Sequence, residues 1–252
     1  MRRFPNRSGL LILLDPSAHR GKRPKPNPAI IFGVSPRGKF LTFEGLDGSG
    51  KSTQVEKLAR SLRAHGVFVT VTREPGGTAA GEKIRDVLLH SATSGLSPLA
   101  EMALMFAARV QHIHEVILPA LAAGRVVLCD RFTDSTEAYQ GGGRKLGSKP
   151  VLLLHEILSG NLQPDLTILL DNEAGFSVER ARRRNRKHKS TRSEKDENRF
   201  EQESRAFFGR VRSAYLAIAA REPNRVQVID ARGTPGETHA VILELVRKKL
   251  KI

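Results

Sequence analysis

One cysteine, no tryptophan and two tyrosines leave this chain poor in the residues that staple, ligate or stack. The single Cys129 excludes an intramolecular disulfide and a cysteine-rich zinc site. It stands in the apolar run Val126-Val127-Leu128-Cys129 and reads as a small buried hydrophobe. That usage fits a reducing, cytoplasmic compartment. No apolar run approaches the roughly 20 residues needed to span a bilayer, so no membrane partner is expected. Aromatics make up 5% of the chain, too few for a stacking platform on single-stranded nucleic acid.

Acidic residues are scarce too, at 26 against 42 Lys and Arg, for a net charge of +16. The excess is regional. Residues 1–39 carry nine Lys or Arg against Asp15 alone, and residues 180–199 carry ten against Glu194, Asp196 and Glu197. The rest of the chain is close to neutral. No RNP or zinc-finger signature accompanies the basic segments, so nucleic acid is not an expected partner. The first segment, 1–37, holds six of the thirteen prolines. Its composition favours a disordered extension; a transit peptide and translation begun upstream of a start near Val34 are the other readings. Residues 38–252 remain for one α/β domain.

From Gly38 onward, strand and helix patterns alternate. Apolar runs predict strands at 40–43, 67–71, 125–129, 166–170 and 226–229. Helical patterns fall at 51–65, 79–89, 98–121, 135–139, 150–159, 176–184, 199–221 and 237–249. Five apolar strands separated by helices predict a five-stranded parallel sheet with helices on both faces. Between the first strand and its helix lies Gly45-Leu46-Asp47-Gly48-Ser49-Gly50-Lys51-Ser52, with Thr53 after it. This matches G-x-x-x-x-G-K-[ST], the P-loop. Its glycines let successive N–H groups converge on phosphate oxygens at a helix N-terminus. Lys51 is placed to reach the β- and γ-phosphates and the Ser52 hydroxyl to bind Mg²⁺. The chain therefore handles a nucleoside triphosphate, and the absence of N-K-x-D weighs against a guanine-specific switch.

Four further stretches carry chemistry. Thr72-Arg73-Glu74-Pro75-Gly76-Gly77-Thr78 follows the second strand, where Arg73 offers a planar fork for a phosphate. Asp130-Arg131 ends the third strand, a carboxylate where a P-loop enzyme organises Mg²⁺ beside a second phosphate-binding fork; a structural ion pair would have the same sequence. Phe106 and Arg109 share a helical face. Spacing alone leaves Phe106 open between a surface for a nucleobase and plain core. The basic run from Arg180 to Arg192, leading into a lid at about 184–198, supplies cations for transferring phosphates or is a solvated charge run.

The segments GLDGSGKST, TREPGGTAAGEKIR, AARVQH, DRFTDSTEAYQGGGR, PDLTILLD and RFEQES, in this order, closely resemble bacterial thymidylate kinases. The resemblance implies a P-loop NTPase fold with a short lid, ATP and dTMP as substrates, Mg²⁺, and a homodimer. It implies that Asp47 contacts the deoxyribose 3′-hydroxyl and that Arg73 and Arg131 grip the dTMP phosphate. Arg109 would bond thymine with Phe106 stacked nearby, although many relatives carry the aromatic where this chain has Met105. Ser135, Tyr139 and Gln140 would line the nucleoside pocket, Tyr139 crowding a ribose 2′-hydroxyl, and Asp130 would serve Mg²⁺. Gly48 stands where some members have an arginine, which implies a catalytic arginine from the lid, aligned with Arg184. The expected activity is ATP-dependent phosphorylation of dTMP to dTDP. The alternatives are a kinase for another nucleoside monophosphate and a P-loop regulatory or nucleic-acid-binding ATPase.

Overall fold

The structure, a computed structural model, describes residues 37–89, 95–173, 200 and 203–251. All belong to the second of two contact units, Ser35–Ile252. Arg184 and the lid at 184–198 lie outside the described residues, as do the extension up to residue 36 and the helix expected at 176–184.

Five strands, β1 (Phe40–Glu44), β2 (Val69–Arg73), β3 (Val126–Asp130), β4 (Leu166–Asp171) and β5 (Val226–Asp230), form one parallel sheet in the order β2-β3-β1-β4-β5. The central strand β1 is buried along its whole length, as a parallel strand covered on both faces must be. Its side chains alternate between two cores. Leu41 and Phe43 join Val55, Leu58 and Leu62 of α1 (Lys51–Ala64) and Ile242 and Val246 of the helix Pro235–Leu250. Phe40 points the other way, against Ile117, Leu121 and Phe132. Glu44 ends the strand fully buried.

Several boundaries differ from the sequence expectation, three of them for a clear local reason. β2 begins at Val69, not Val67: the Val67 N–H closes α1 by donating to Leu62 O, and pairing with β3 runs from Val69 opposite Val126 to Arg73 opposite Asp130. The long helix expected at 98–121 is α3 (Pro98–His112) followed by a wider turn, Ile113–Ile117, and a last turn, Leu118–Ala122. Pro119, with no N–H to give, accounts for the break. The helix expected from 199 is Arg205–Arg221, started by Ser204, whose hydroxyl accepts from Phe207 N–H at 3.2 Å.

In this strand order the chain leaves β1 on one side for β2 and β3, then crosses to the other side for β4. The crevice beyond the carboxyl ends of β1 and β3 is therefore the topological switch point. No helix among the described residues is long and apolar enough to cross a membrane.

Candidate active site

The loop Gly45–Gly50 joins β1 to α1 at that crevice. Gly45 turns the chain at φ 131°, and a Cβ there would fall 2.4 Å from Leu170 O, so no side chain fits. Lys51, in the first turn of α1, folds back over the loop and donates to Gly45 O at 3.1 Å and Leu46 O at 2.9 Å. Burial, and then the neighbouring Arg131, push its ammonium down to about 8. Ser52 Oγ donates to Asp130 Oδ2 at 2.8 Å.

Two clefts meet here. One is lined by Asp47, Gly48, Gly50, Lys51, Ser52, Thr53, Arg73, Asp130 and Arg131. The other is lined by Asp47, Arg109, Arg131, Ser135, Tyr139 and Gln140, together with Met105 and others. Asp47, Glu74, Arg85 and Arg131 line both. Of the loop residues named from sequence, Gly45, Leu46 and Ser49 line neither: Leu46 packs into an apolar cluster with Tyr139 and Leu169, and Ser49 is buried.

Arg131 holds the junction. Its Nη2 donates to Asp47 Oδ1 at 2.7 Å and its Nη1 to Ser135 Oγ at 3.0 Å and Gly45 O at 3.2 Å, while its guanidinium lies 4.9 Å from the Tyr139 ring centroid. Its backbone sits at φ 72°, a strained region for a side-chain-bearing residue and one that recurs at functional sites. Tyr139 donates to Asp47 Oδ2 at 3.0 Å. Burial alone would raise the Asp47 carboxyl, but Arg131 and Lys51 outweigh it and hold it well below the usual carboxylate range. Arg73 is more exposed and pairs with Glu82 at 3.0 Å.

At the second cleft the structure departs from one sequence expectation. Phe106 does not line it. It is fully buried against Met102 and Val151, with the Arg109 guanidinium 4.8 Å from its ring centroid. One residue is about 100° around a helix, so Met105 presents the face expected of Phe106. Arg109 is almost wholly buried. Its Nε donates to Glu74 Oε2 at 2.8 Å, and its Nη2 to Phe132 O at 3.1 Å and Thr136 Oγ1 at 2.9 Å. Its Nη1 has no partner among the described residues. Gln140 lines the cleft while its amide donates to Glu101 Oε1 at 2.8 Å.

Sequence reasoning missed three partners. Glu44 accepts from Phe132 N–H at 2.7 Å, from the Tyr215 hydroxyl at 2.9 Å and from the Ser135 hydroxyl. Burial, and then Asp134, push its carboxyl up to about 7. Tyr215 sits on the far helix Arg205–Arg221 and its hydroxyl, like that of Tyr139, accepts from Arg131 at 3.3 Å, so both tyrosines of the chain serve one network; their scarcity was the available signal. Glu74 was visible only as part of a loop motif.

A parallel sheet with a phosphate-cradling loop at its switch point, a hydroxyl–carboxylate pair and an adjoining second cleft defines a P-loop nucleotide-binding protein. A sequence model of thymidylate kinase matches residues 43–242. The thymidylate kinase of Cereibacter sphaeroides is 53% identical over 81% of this chain and 92% of its own length. That of Pseudomonas syringae pv. tomato is 47% identical over 85% of this chain and 98% of its own. The crystal structure of thymidylate kinase from Ehrlichia chaffeensis superposes with a TM-score of 0.65 at 32% identity, covering 84% of this chain and 99% of that one. The chain belongs to the thymidylate kinase family.

Proposed function

We propose that this enzyme transfers the γ-phosphoryl group of ATP to dTMP, giving dTDP, in the cytoplasm. Family membership supports the phosphotransfer. The observation that carries the base assignment is Arg109 Nη1, a buried donor lacking an acceptor among the described residues in a cleft lined by that side chain. Such a group costs about 1–3 kcal/mol unless a ligand satisfies it, and a thymine carbonyl would.

The two clefts divide the reaction between them. ATP phosphates lie against Gly48, Gly50, Lys51, Ser52 and Thr53, with Gly45, Leu46 and Ser49 shaping the loop beneath. The acceptor nucleotide lies against Asp47, Met105, Arg109, Ser135, Tyr139 and Gln140. Arg131, lining both clefts, and Arg73 hold the acceptor phosphate. No general base is needed: a phosphate monoester has its second pKa near ~6 and is largely ionised at pH 7. An oxygen of the dTMP phosphate attacks the γ-phosphorus, the bond to the bridging oxygen breaks, and ADP leaves with that electron pair. Catalysis is then positioning and charge neutralisation by Lys51, Arg73, Arg131 and a lid arginine, Arg184. Ser52 Oγ and Asp130 Oδ2 are hard oxygen donors that suit Mg²⁺. Bound there, the ion would neutralise charge on the phosphate oxygens.

A homodimer is part of the same reading. The helix Ser148–Ser159 exposes Leu153 and Ile157, with Leu99 of α3 exposed as well, and a second copy would cover them. A solution mass of a single chain would count against it. The deciding experiment for function is ATP-dependent turnover of the purified protein with dTMP, dUMP, UMP, CMP, AMP and GMP. The expected order puts dTMP first; a ribonucleotide or purine preferred over dTMP would overturn the reading.

A further inference from the structure

We propose that His112 is a positioning residue for base recognition, acting through Glu74 to fix the direction in which Arg109 presents its unpartnered nitrogen. This rests on the reading that Arg109 holds the base.

His112 ends α3 three residues after Arg109, on the same helical face. Both reach back to Glu74, the first residue after β2, and they divide its carboxylate. Arg109 Nε donates to Oε2 at 2.8 Å, and His112 Nδ1 meets Oε1 at 2.9 Å. A carboxylate is planar, so engaging both oxygens sets the orientation of the whole group. Glu74 is ionised, because Arg109 outweighs the burial that would raise its carboxyl, so Nδ1 must be the donor. The other ring nitrogen, Nε2, lies 2.6 Å from Thr72 Oγ1, which closes a chain Thr72–His112–Glu74–Arg109. His112 and Glu74 are both buried.

The loop backbone locks the ring in place. Gly77 lies so close that a Cβ there would fall 2.7 Å from His112 Cδ2 and Nε2 and 2.8 Å from Thr72 Oγ1. The second glycine of TREPGGT therefore has a physical reason: any side chain would displace the imidazole. Arg109 itself is held between the Phe106 and Phe132 rings, 4.8 and 5.2 Å from their centroids. Its remaining freedom is a swing in the guanidinium plane, which the Glu74 contact on Nε restrains together with the Nη2 bonds to Phe132 O and Thr136 Oγ1. Without His112, Oε1 becomes a buried acceptor with no donor among the described residues, the carboxylate can rotate, and the aim of Arg109 Nη1 loses one of its restraints. A fixed N–H donor favours a pyrimidine carrying a carbonyl over one carrying an amino group at the same edge, so the restraint serves selectivity.

The test compares His112→Ala, His112→Asn and Arg109→Lys in the full chain, reading KM for dTMP, KM for ATP and the ratio of kcat/KM for dTMP over dCMP. His112→Ala should raise KM for dTMP about tenfold and lower the dTMP-to-dCMP ratio by a similar factor, as expected for losing a hydrogen bond to a charged group. KM for ATP should stay within about twofold. His112→Asn, whose amide can occupy the Nδ1 position, should restore most of the ratio. A loss of melting temperature with the ratio unchanged means a merely structural histidine and overturns the proposal. If Arg109→Lys also leaves KM for dTMP and the ratio unaltered, the base reading itself fails. Should His112→Ala not fold, Thr72→Val, which removes only the hydroxyl on Nε2, should lower the ratio by a smaller factor; an unchanged ratio there overturns the proposal.

Discussion

Ser52 Oγ donates to Asp130 Oδ2 across 2.8 Å, joining the first turn of α1 to the tip of β3. The pair brings together oxygens from two chain segments that share the switch-point crevice, and hard oxygen donors of this kind suit a small divalent cation. Asp130→Asn keeps the shape and removes the charge. The Mg²⁺ concentration for half-maximal turnover should rise about tenfold or more, with dTMP affinity nearly unchanged. An unaltered Mg²⁺ titration would remove Asp130 from the metal site.

Met105 and Phe106 separate cleft lining from core packing on adjacent positions. Met105 is half-buried and lines the second cleft, whereas Phe106 has no exposed surface. Phe106→Ala should cost about 3–5 kcal/mol of stability, as large-to-small changes of buried aromatics do. Met105→Ala should instead raise KM for dTMP several-fold with little change in melting temperature. The reverse pattern in thermal unfolding and kinetics would restore Phe106 to the pocket.

This pair also marks how far the sequence could be read. The P-loop, the Asp130-Arg131 strand tip and all five strands were legible because each is a contiguous stretch with its own period or spacing. Helix phase at Met105 was not, because two adjacent residues differ only in which neighbours they meet. Glu44, Tyr215 and His112 were invisible for a related reason. Glu44 looks like a polar strand end until Ser135 and Tyr215 arrive from other elements to bury it. His112 is one of eight histidines, and nothing in its surroundings in the chain announces Thr72 or Glu74 as partners.

The pH dependence of stability should reveal two opposed buried groups. Burial and Asp134 push Glu44 up to about 7, so between its ordinary value of 4.5 and about 7 the fold holds a proton the unfolded chain has released. Its contribution is complete below 4.5 and is lost as pH rises. Burial, with Arg109 and Arg225, pushes His155 down to about 4 from 6.5, so there the unfolded chain holds the extra proton and stability rises with pH. Each contributes on the order of 3 kcal/mol, and across about pH 4.5–6.5 the slopes largely cancel. Glu44→Gln should unmask stability that rises with pH in denaturant titrations, and His155→Gln stability that falls. Parallel curves for wild type and both variants would refute the assignment.

We propose that residues 1–37 are an extension the enzyme does not need. The described fold makes its own first contacts: Gly38 N–H donates to Leu121 O at 2.9 Å and Phe40 N–H to Asp165 Oδ2 at 2.7 Å. The match to the thymidylate kinase sequence model also begins later, at residue 43. A chain starting at Val34 should unfold cooperatively within about 2 °C of the full chain and phosphorylate dTMP at the same kcat/KM. Loss of cooperative unfolding on truncation would move the domain boundary into the extension.

The final prediction concerns the cation that meets the transferring phosphoryl group. Gly48 sits in the P-loop with no side chain, so the loop itself brings no arginine to the γ-phosphate, yet charge spreads over its oxygens in transfer. Three of the four arginines on the helix Arg205–Arg221 are committed elsewhere. Arg210 bonds Gly143 O, Arg212 pairs with both oxygens of Asp171 at 2.7 and 2.8 Å, and Arg221 holds Glu137. We propose the dense basic run at 180–192 as the supply, and Arg184 within it because the family resemblance implies that residue as the lid arginine. An interaction made chiefly in the transition state lowers kcat and kcat/KM together. Arg184→Ala should lose about 10²-fold in both, less than the 10³–10⁵ of an isolated arginine finger because neighbouring arginines can partly substitute. Arg184→Lys should also be impaired, since lysine keeps the charge but not the planar fork, and dTMP affinity should be unchanged in both variants. If Arg184→Ala keeps its kcat while Arg192→Ala loses it, the alignment across this lid is displaced and the catalytic role belongs to Arg192.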